Sequence, residues 1–355
     1  MNLLEESVQK IRPADTGAKN EAKKRLDSLA KPLGSLGYLE DIAAKMAGIT
    51  GNVCSKIHKK NIVVMCADNG VVKEGVSTCP KEITAAMTVN FTRGITGVCV
   101  LADHAASDLT VVDIGVDARI VHPGVLDKKI AFGTNDIAKG PAMTRDQAVK
   151  AVETGIEIVD DLVRRGYDLI GTGEMGIGNT TTSTAVLCAL SNLSPDVVTG
   201  KGAGLTDAQF ENKKAVIKKA LAVNSPKRDD VIDVLSKVGG FDIAGMCGCF
   251  IGAAKNRAPI VIDGFISSAA ALCAYRINPI VRDFMFPSHL SAEPGAVYMM
   301  KELGLDPILN LKMRLGEGTG CALAFEIIEA ALHMIECMGT FDDAAIADDF
   351  LVDIR

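Results

Sequence analysis

Two carboxylates in this chain stand between glycines. Glu174 lies in Gly171-Thr172-Gly173-Glu174-Met175-Gly176-Ile177-Gly178-Asn179-Thr180-Thr181-Thr182, and Glu317 in Arg314-Leu315-Gly316-Glu317-Gly318-Thr319-Gly320. Flanking glycines let the backbone turn sharply and remove side chains that would keep a ligand away, so each carboxylate is free to accept a proton. Glu317 precedes an apolar run, Cys321-Ala322-Leu323-Ala324-Phe325, that reads as a helix, and it is the candidate catalytic base. The plainer alternative is an acid in a first helical turn that offsets the helix dipole, worth about 0.3–1 kcal/mol. The Glu174 segment follows a predicted strand and opens a predicted helix, and its small residues expose N–H groups suited to a phosphate. Gly171, Gly173 and Gly176 match a GxGxxG dinucleotide pattern, yet Glu174 inside it would repel a pyrophosphate, and no second strand brings a ribose-binding acid. A glycine turn without ligand is the other reading.

The elements that must position these groups alternate. Short apolar runs at Asn61–Ala67, Leu109–Gly115, Tyr167–Gly171 and Pro259–Gly264 read as buried strands, with a further strand over Pro279–Phe286. Helical stretches lie between them over 144–165, 207–223 and 265–274. Such alternation predicts an α/β fold with a parallel sheet covered on both faces and ligands outside the carboxyl ends of the strands, where Asp68, Asp113, Glu174 and Asp263 stand. Residues 20–30 and 36–48 read as helices, as does 322–338. The expected division is therefore a small helical domain from 1–55 with 322–355, ending in an acidic tail, and a large catalytic domain over 56–321.

Composition narrows the function. With 48% hydrophobic and 23% charged residues the chain can bury a sizeable core. A net charge of −6 without a basic run, and 4% aromatics without Trp, exclude the footprint of a nucleic-acid binder. The ten cysteines mostly sit singly in apolar segments and read as reduced, and Cys247-Gly248-Cys249 lacks zinc-ligand spacing. His104 and His289 have no metal-spaced partners, so no metal or redox cofactor is expected. Met1–Lys10 carries charges where a signal peptide needs an apolar core, and no run approaches the roughly 20 apolar residues of a membrane span, which makes the cytoplasm the expected compartment.

Five longer motifs are spread along the chain: Lys31-Pro32-Leu33-Gly34-Ser35-Leu36-Gly37, Ala67-Asp68-Asn69-Gly70, Gly173 through Thr181, Ser291-Ala292-Glu293-Pro294-Gly295, and Arg314 through Gly320. In these the chain resembles the nicotinate-nucleotide:dimethylbenzimidazole phosphoribosyltransferases, which make the lower nucleotide of cobamides. The resemblance implies a Rossmann-like domain, a small helical domain built from both termini, a dimer, and Glu317 as general base, with Glu174 as the second acidic group. It places Met175, Gly176, Ile177, Gly178, Asn179, Thr180, Thr181, Lys213, Gly264, Ser291, Leu315 and Gly316 around nicotinate mononucleotide, with Asp242 and Asp263 on the ribose hydroxyls. Lys213 has a competing reading as a solvated helix charge, and the two aspartates as helix caps.

The same resemblance puts the aromatic acceptor against Cys79, Pro80, Ala86 and Met87. Ala86 stands where benzimidazole-specific members usually carry Gln, so the acceptor is either 5,6-dimethylbenzimidazole or, as in heterodimeric relatives, the oxygen of phenol or p-cresol. Neutral drift at a lining position is the alternative. From another class, a non-catalytic nucleotide-binding subunit of a heterodimer remains, against which the retained Glu317 speaks.

Overall fold

The computed structural model describes residues 2–202, 204–349 and 351–353. Met1, Phe350, Ile354 and Arg355, which the expected helical unit and acidic tail include, lie outside the described residues. The chain opens with α1 (Leu3–Lys10), α2 (Thr16–Ser28) and α3 (Tyr38–Thr50), then β1 (Lys60–Ala67), α4 (Glu82–Asn90), α5 (Gly97–His104), β2 (Ser107–Gly115) and β3 (Val125–Asp127). It continues through α6 (Arg145–Arg164), β4 (Leu169–Met175), α7 (Asn179–Ser191), α8 (Pro195–Val198), α9 (Asp207–Asn224), α10 (Val231–Val238), α11 (Phe241–Lys255) and β5 (Ile260–Ile262). The last part holds α12 (Phe265–Ile277), β6 (Met285–Pro287), α13 (Gly295–Leu303) and α14 (Thr319–Cys337).

Among the described residues the sheet has six strands in the order β3-β2-β1-β4-β5-β6, every pair parallel. The expected α/β Rossmann-like class is the observed one. Every residue of β1 is buried, which is why Ile62 to Ala67 form a continuous apolar run rather than an alternating one. The order reverses between β1 and β4, and a parallel sheet leaves a crevice beyond the carboxyl ends at such a point. Asp68 follows β1 and Glu174 closes β4 at that place.

Two expectations change. Pro279–Phe284 forms a 3-10 helix and only Met285–Pro287 is strand, because Asn278 caps the turn by accepting the Ile280 N–H at 3.0 Å and Pro279 pre-sets its first residue. The segment 82–104 has the length and apolarity of a membrane span, 23 residues at mean hydropathy 1.3. It is nevertheless not one helix: α4 gives way to a 3-10 turn, Gly94 takes φ 73°, and Thr96 caps a new helix.

Two layers of helix cover the sheet, and the α6/α11 pair comes closest. A Cβ at Gly155 would fall 2.8 Å from the Cys249 nitrogen, and one at Gly248 3.0 Å from the Gly155 Cα. The contact is backbone against backbone, so nothing flexible can yield. Gly155→Ala is therefore expected to lower the unfolding free energy by about 1–3 kcal/mol despite its better helix propensity, read as a lower denaturant midpoint at unchanged slope; a wild-type midpoint would show that the two helices can separate freely.

Candidate active site

Beyond the carboxyl ends of β1, β4 and β5 lies a cavity of about 510 Å³. Glu174, Met175, Gly176, Ile177, Gly178, Asn179 and Thr180 line it from β4 and the head of α7, and Leu315, Gly316 and Glu317 from the turn before α14. Lys213 enters from α9, while Asp263 and Gly264 follow β5 and Ser291 precedes α13. The segments around Glu174 and Glu317 thus converge although they lie more than a hundred residues apart, and Ser291 and Glu293 join them, whereas Lys31–Gly37 and Ala67–Gly70 do not line the cavity.

Glu317 does not sit in the first turn of α14. It occupies the turn before it, at φ 64°, between Gly316 at 85° and Gly318 at 103°. Three successive left-handed residues are feasible because two are glycine, while Glu317 itself carries the steric cost of about 1–2 kcal/mol. The residue is 6% exposed, and the Val98 N–H donates to its Oε2 at 3.0 Å. Burial pushes the Glu317 carboxyl above its usual range, and main-chain donors of Val98 and Gly97 pull the other way.

The glycines of the Glu174 segment serve packing as much as ligand. Gly171 and Gly173 lie inside β4. A Cβ on Gly171 would stand 2.7 Å from the Cys321 Cβ, and one on Gly173 would run into the Glu317 carbonyl, so the two glycines admit the head of α14 onto the strand. Only Gly176 and Gly178 belong to the turn that opens α7.

Asp263 caps that same helix head from β5. Its Oδ2 accepts the Gly318 N–H at 3.0 Å and its Oδ1 the Gly320 N–H at 2.7 Å. Glu174 accepts the side-chain amide of Asn179, whose Nδ2 also reaches Asp242 Oδ2 at 3.1 Å, and the Glu317 main-chain N–H. Burial first, then the charge of Asp242, push Glu174 up to about 8; burial pushes Asp263 to about 7 and Asp242 to about 6. Lys213 is 1% exposed and donates to Thr180 Oγ1 at 2.8 Å and to the Gly200 carbonyl at 3.1 Å, so it is no solvated helix charge. Burial brings its ammonium down to about 8.

Several expected residues stand elsewhere. Asp242 is 0% exposed behind Asn179 and does not reach the cavity wall, and Thr181 is fully buried in α7 outside the cavity lining. Of Cys79, Pro80, Ala86 and Met87 only Met87 lines the cavity; α4 turns Ile83 and Met87 inward, one helical turn apart, and leaves Ala86 exposed. The phenol reading rested on Ala86 and so loses its support. Sequence reasoning missed Ile83, Phe265 and Ile266, ordinary apolar residues in a sequence full of them, and also His289, Glu293 and Arg314, which join the same wall.

A family profile described as phosphoribosyltransferase matches residues 11–346. The chain belongs to this phosphoribosyltransferase family. It is 56% identical to the nicotinate-nucleotide--dimethylbenzimidazole phosphoribosyltransferase of Clostridium tetani over all of this chain and 98% of that one. The protein of the same name from Acetivibrio thermocellus is 57% identical over 91% of this chain and 92% of its own length. Among solved structures, the nicotinate-nucleotide-dimethylbenzimidazole phosphoribosyltransferase of Thermus thermophilus superposes at a TM-score of 0.89 with 37% identity, covering 94% of this chain and 99% of that one.

This phosphoribosyltransferase concentrates carboxyls of raised pKa at its site. A folded-state pKa above the unfolded one means that the folded chain keeps protons which the unfolded chain releases from about pH 4 upward. Stability from Glu174 and Asp263 is thus greatest at low pH, falls as pH rises toward their values of about 8 and about 7, and levels beyond them. Glu174→Gln is expected to flatten the decline in denaturant midpoint between about pH 5 and about pH 8; an unchanged slope would place the titration on other groups.

Proposed function

We propose that the protein transfers phosphoribose from nicotinate mononucleotide to 5,6-dimethylbenzimidazole or a related lower-ligand base, giving the α-ribotide for cobamide nucleotide-loop assembly. The observation that carries this reading is Glu317, a buried carboxylate lifted in pKa, in one cavity with the apolar residues Ile83 and Met87 and the buried ammonium of Lys213. The names of the relatives from Clostridium tetani and Acetivibrio thermocellus support the donor and acceptor.

The donor's pyridinium nitrogen is already cationic, so nicotinate leaves with the C1′–N electron pair and needs no general acid. The acceptor's unprotonated ring nitrogen bonds to C1′ on the opposite face, and the proton on its other ring nitrogen passes to Glu317. Burial suits Glu317 to that proton because it raises the basicity of the carboxylate. Glu174 is the second acidic group: the cationic donor beside it favours its ionised form, which then faces the positive charge that spreads over the sugar as the bond breaks. Lys213, Thr180 and Ser291 are offered to the phosphate, and Asp263 holds the turn that carries the base.

We propose further that the working unit is a homodimer. An apolar groove beside the cavity mouth, with exposed Ile95, Val100 and Leu315, supports this, and light scattering is expected to give twice the chain mass of 37.3 kDa rather than that mass alone. Residues 1–55 with 322–355 are read as a helical unit, which the packing of α2 on α3 and α3 on α14 and the Leu29–Thr340 bridge support. The cytoplasm is retained as its compartment.

Glu317→Gln keeps shape and removes the base. Its kcat is expected to fall by about 10²–10⁴ with the donor KM nearly unchanged, followed as nicotinate release with dimethylbenzimidazole, adenine, phenol and p-cresol as parallel acceptors. Near-wild-type kcat in the variant would remove Glu317 from the chemistry, and turnover of the wild type with phenols only would overturn the acceptor.

A further inference from the structure

We propose that the first turn of α5 is the positioning element of the base: the main-chain N–H of Val98 holds Oε2 of Glu317, with the Gly97 N–H directed at the same carboxylate, so that the other oxygen meets the acceptor proton. This inference rests on Glu317 acting as the base. Nothing in the sequence of Thr96-Gly97-Val98-Cys99 announces such a role, and the family motifs around Glu317 do not include it.

The geometry is specific. The Val98 N–H donates to Oε2 of Glu317 at 3.0 Å, and the Gly97 N–H is directed at the same carboxylate. Both belong to the opening N–H groups of a helix of 8 residues, which have no partner inside it. Thr96 fixes that turn independently of Glu317: it is extended, at φ −91° and ψ 169°, and its Oγ1 accepts the Cys99 N–H at 3.4 Å. The two lowest donors are thereby left for a ligand of the helix end, and Glu317 is that ligand.

Gly97 allows the approach. A Cβ there would lie 2.6 Å from Leu315 Cδ2 and 3.1 Å from Glu317 Oε2, so any side chain would press on both the cavity wall and the carboxylate. Glu317 is therefore held at both ends, its main chain by the left-handed turn between Gly316 and Gly318 and its carboxylate by a helix more than two hundred residues earlier. A glutamate has three side-chain torsions, and a base that wanders over its rotamers meets the acceptor proton only part of the time. The helix end also favours the charged carboxylate and so opposes the effect of burial on it.

Val98→Pro removes the donor without breaking a helical hydrogen bond, since proline is accepted in a helix's first turn. Val98→Ala trims the same side chain and keeps the N–H. The charged groups facing Glu317 are Glu174 from β4 with Asp242 of α11 behind it, Asp263 after β5, Lys213 of α9, and Arg314 in the turn itself, with His289 also in the cavity wall. They are the same in both variants, so the difference between the two pH profiles reports the Val98 N–H.

Val98→Ala is expected to keep the position of the acid limb of kcat. Val98→Pro is expected to lose a further factor of about ten in kcat and to move that limb upward by about one pH unit, the scale of one hydrogen bond to a charged group, with the donor KM within a factor of about three. Coincident profiles for the two would overturn the proposal. If Val98→Pro does not fold, Gly97→Ala decides: at least about a tenfold fall in kcat with retained donor KM supports the contact, and wild-type kcat refutes it. Glu317→Gln separates the failures, because an active variant removes the base assignment itself, whereas an inactive one beside matching Val98 profiles removes only the positioning role.

Discussion

The site depends on one close approach, that of the turn Gly316-Glu317-Gly318 to the carboxyl end of β4. Gly171 and Gly173 have no side chains to hold the turn off, and a Cβ on Gly318 would stand 3.3 Å from the Gly173 Cα. From that contact follow the left-handed backbone of Glu317, the seating of α14 over β4 and β5, and the reach of its first N–H groups to Asp263. Glycine in a strand interior ordinarily weakens it through entropy and lost packing. Here the cost is offset by placing a helix end and a carboxylate at the carboxyl end of a central strand.

The second constraint is electrostatic. Glu174, Asp242 and Asp263 lie within one buried region, each pushed up in pKa by loss of water, and only amide and main-chain donors stand between them. A region of this kind resists full ionisation until a cation arrives. On the proposed function, a pyridinium nucleotide would supply one at its base end and an anion at its phosphate end, and Lys213, whose ammonium is lowered by burial and held by Thr180, would face the second. Donor binding and the charge state of the acids are thereby linked, and the free energy of one is felt in the other.

Much of this was legible in the sequence. The apolar runs of β1, β2 and β5 announced buried parallel strands, and the glycine-flanked carboxylates pointed to the segments that line the cavity, since both patterns are local. Less was legible where the cause is tertiary. β3 has only three residues and pairs through register rather than pattern. Pro279–Phe284 has strand-like composition but is overruled by its cap. Gly171 and Gly173 resemble a phosphate loop in letters and are a helix seat in space. The resemblance places Asp242 and Thr181 at the substrate, yet Asp242 lies behind Asn179 and Thr181 is buried on a face of α7 away from the cavity, a difference of helical phase that spacing from a distant motif does not determine. The donors of α5 are main-chain groups and leave no trace in residue type at all.

The central claim is a direct displacement at C1′ in which no enzyme group becomes bonded to the sugar and the acceptor loses its proton to Glu317. Its most direct test is isotope exchange: enzyme, nicotinate mononucleotide and labelled free nicotinate, incubated without any acceptor. Direct displacement predicts no label in the nucleotide over many turnover times, and exchange begins only when an acceptor makes the reverse reaction available. Label entering the nucleotide without acceptor would mean that the sugar is parked on a protein nucleophile, and the displacement with Glu317 as base would be wrong.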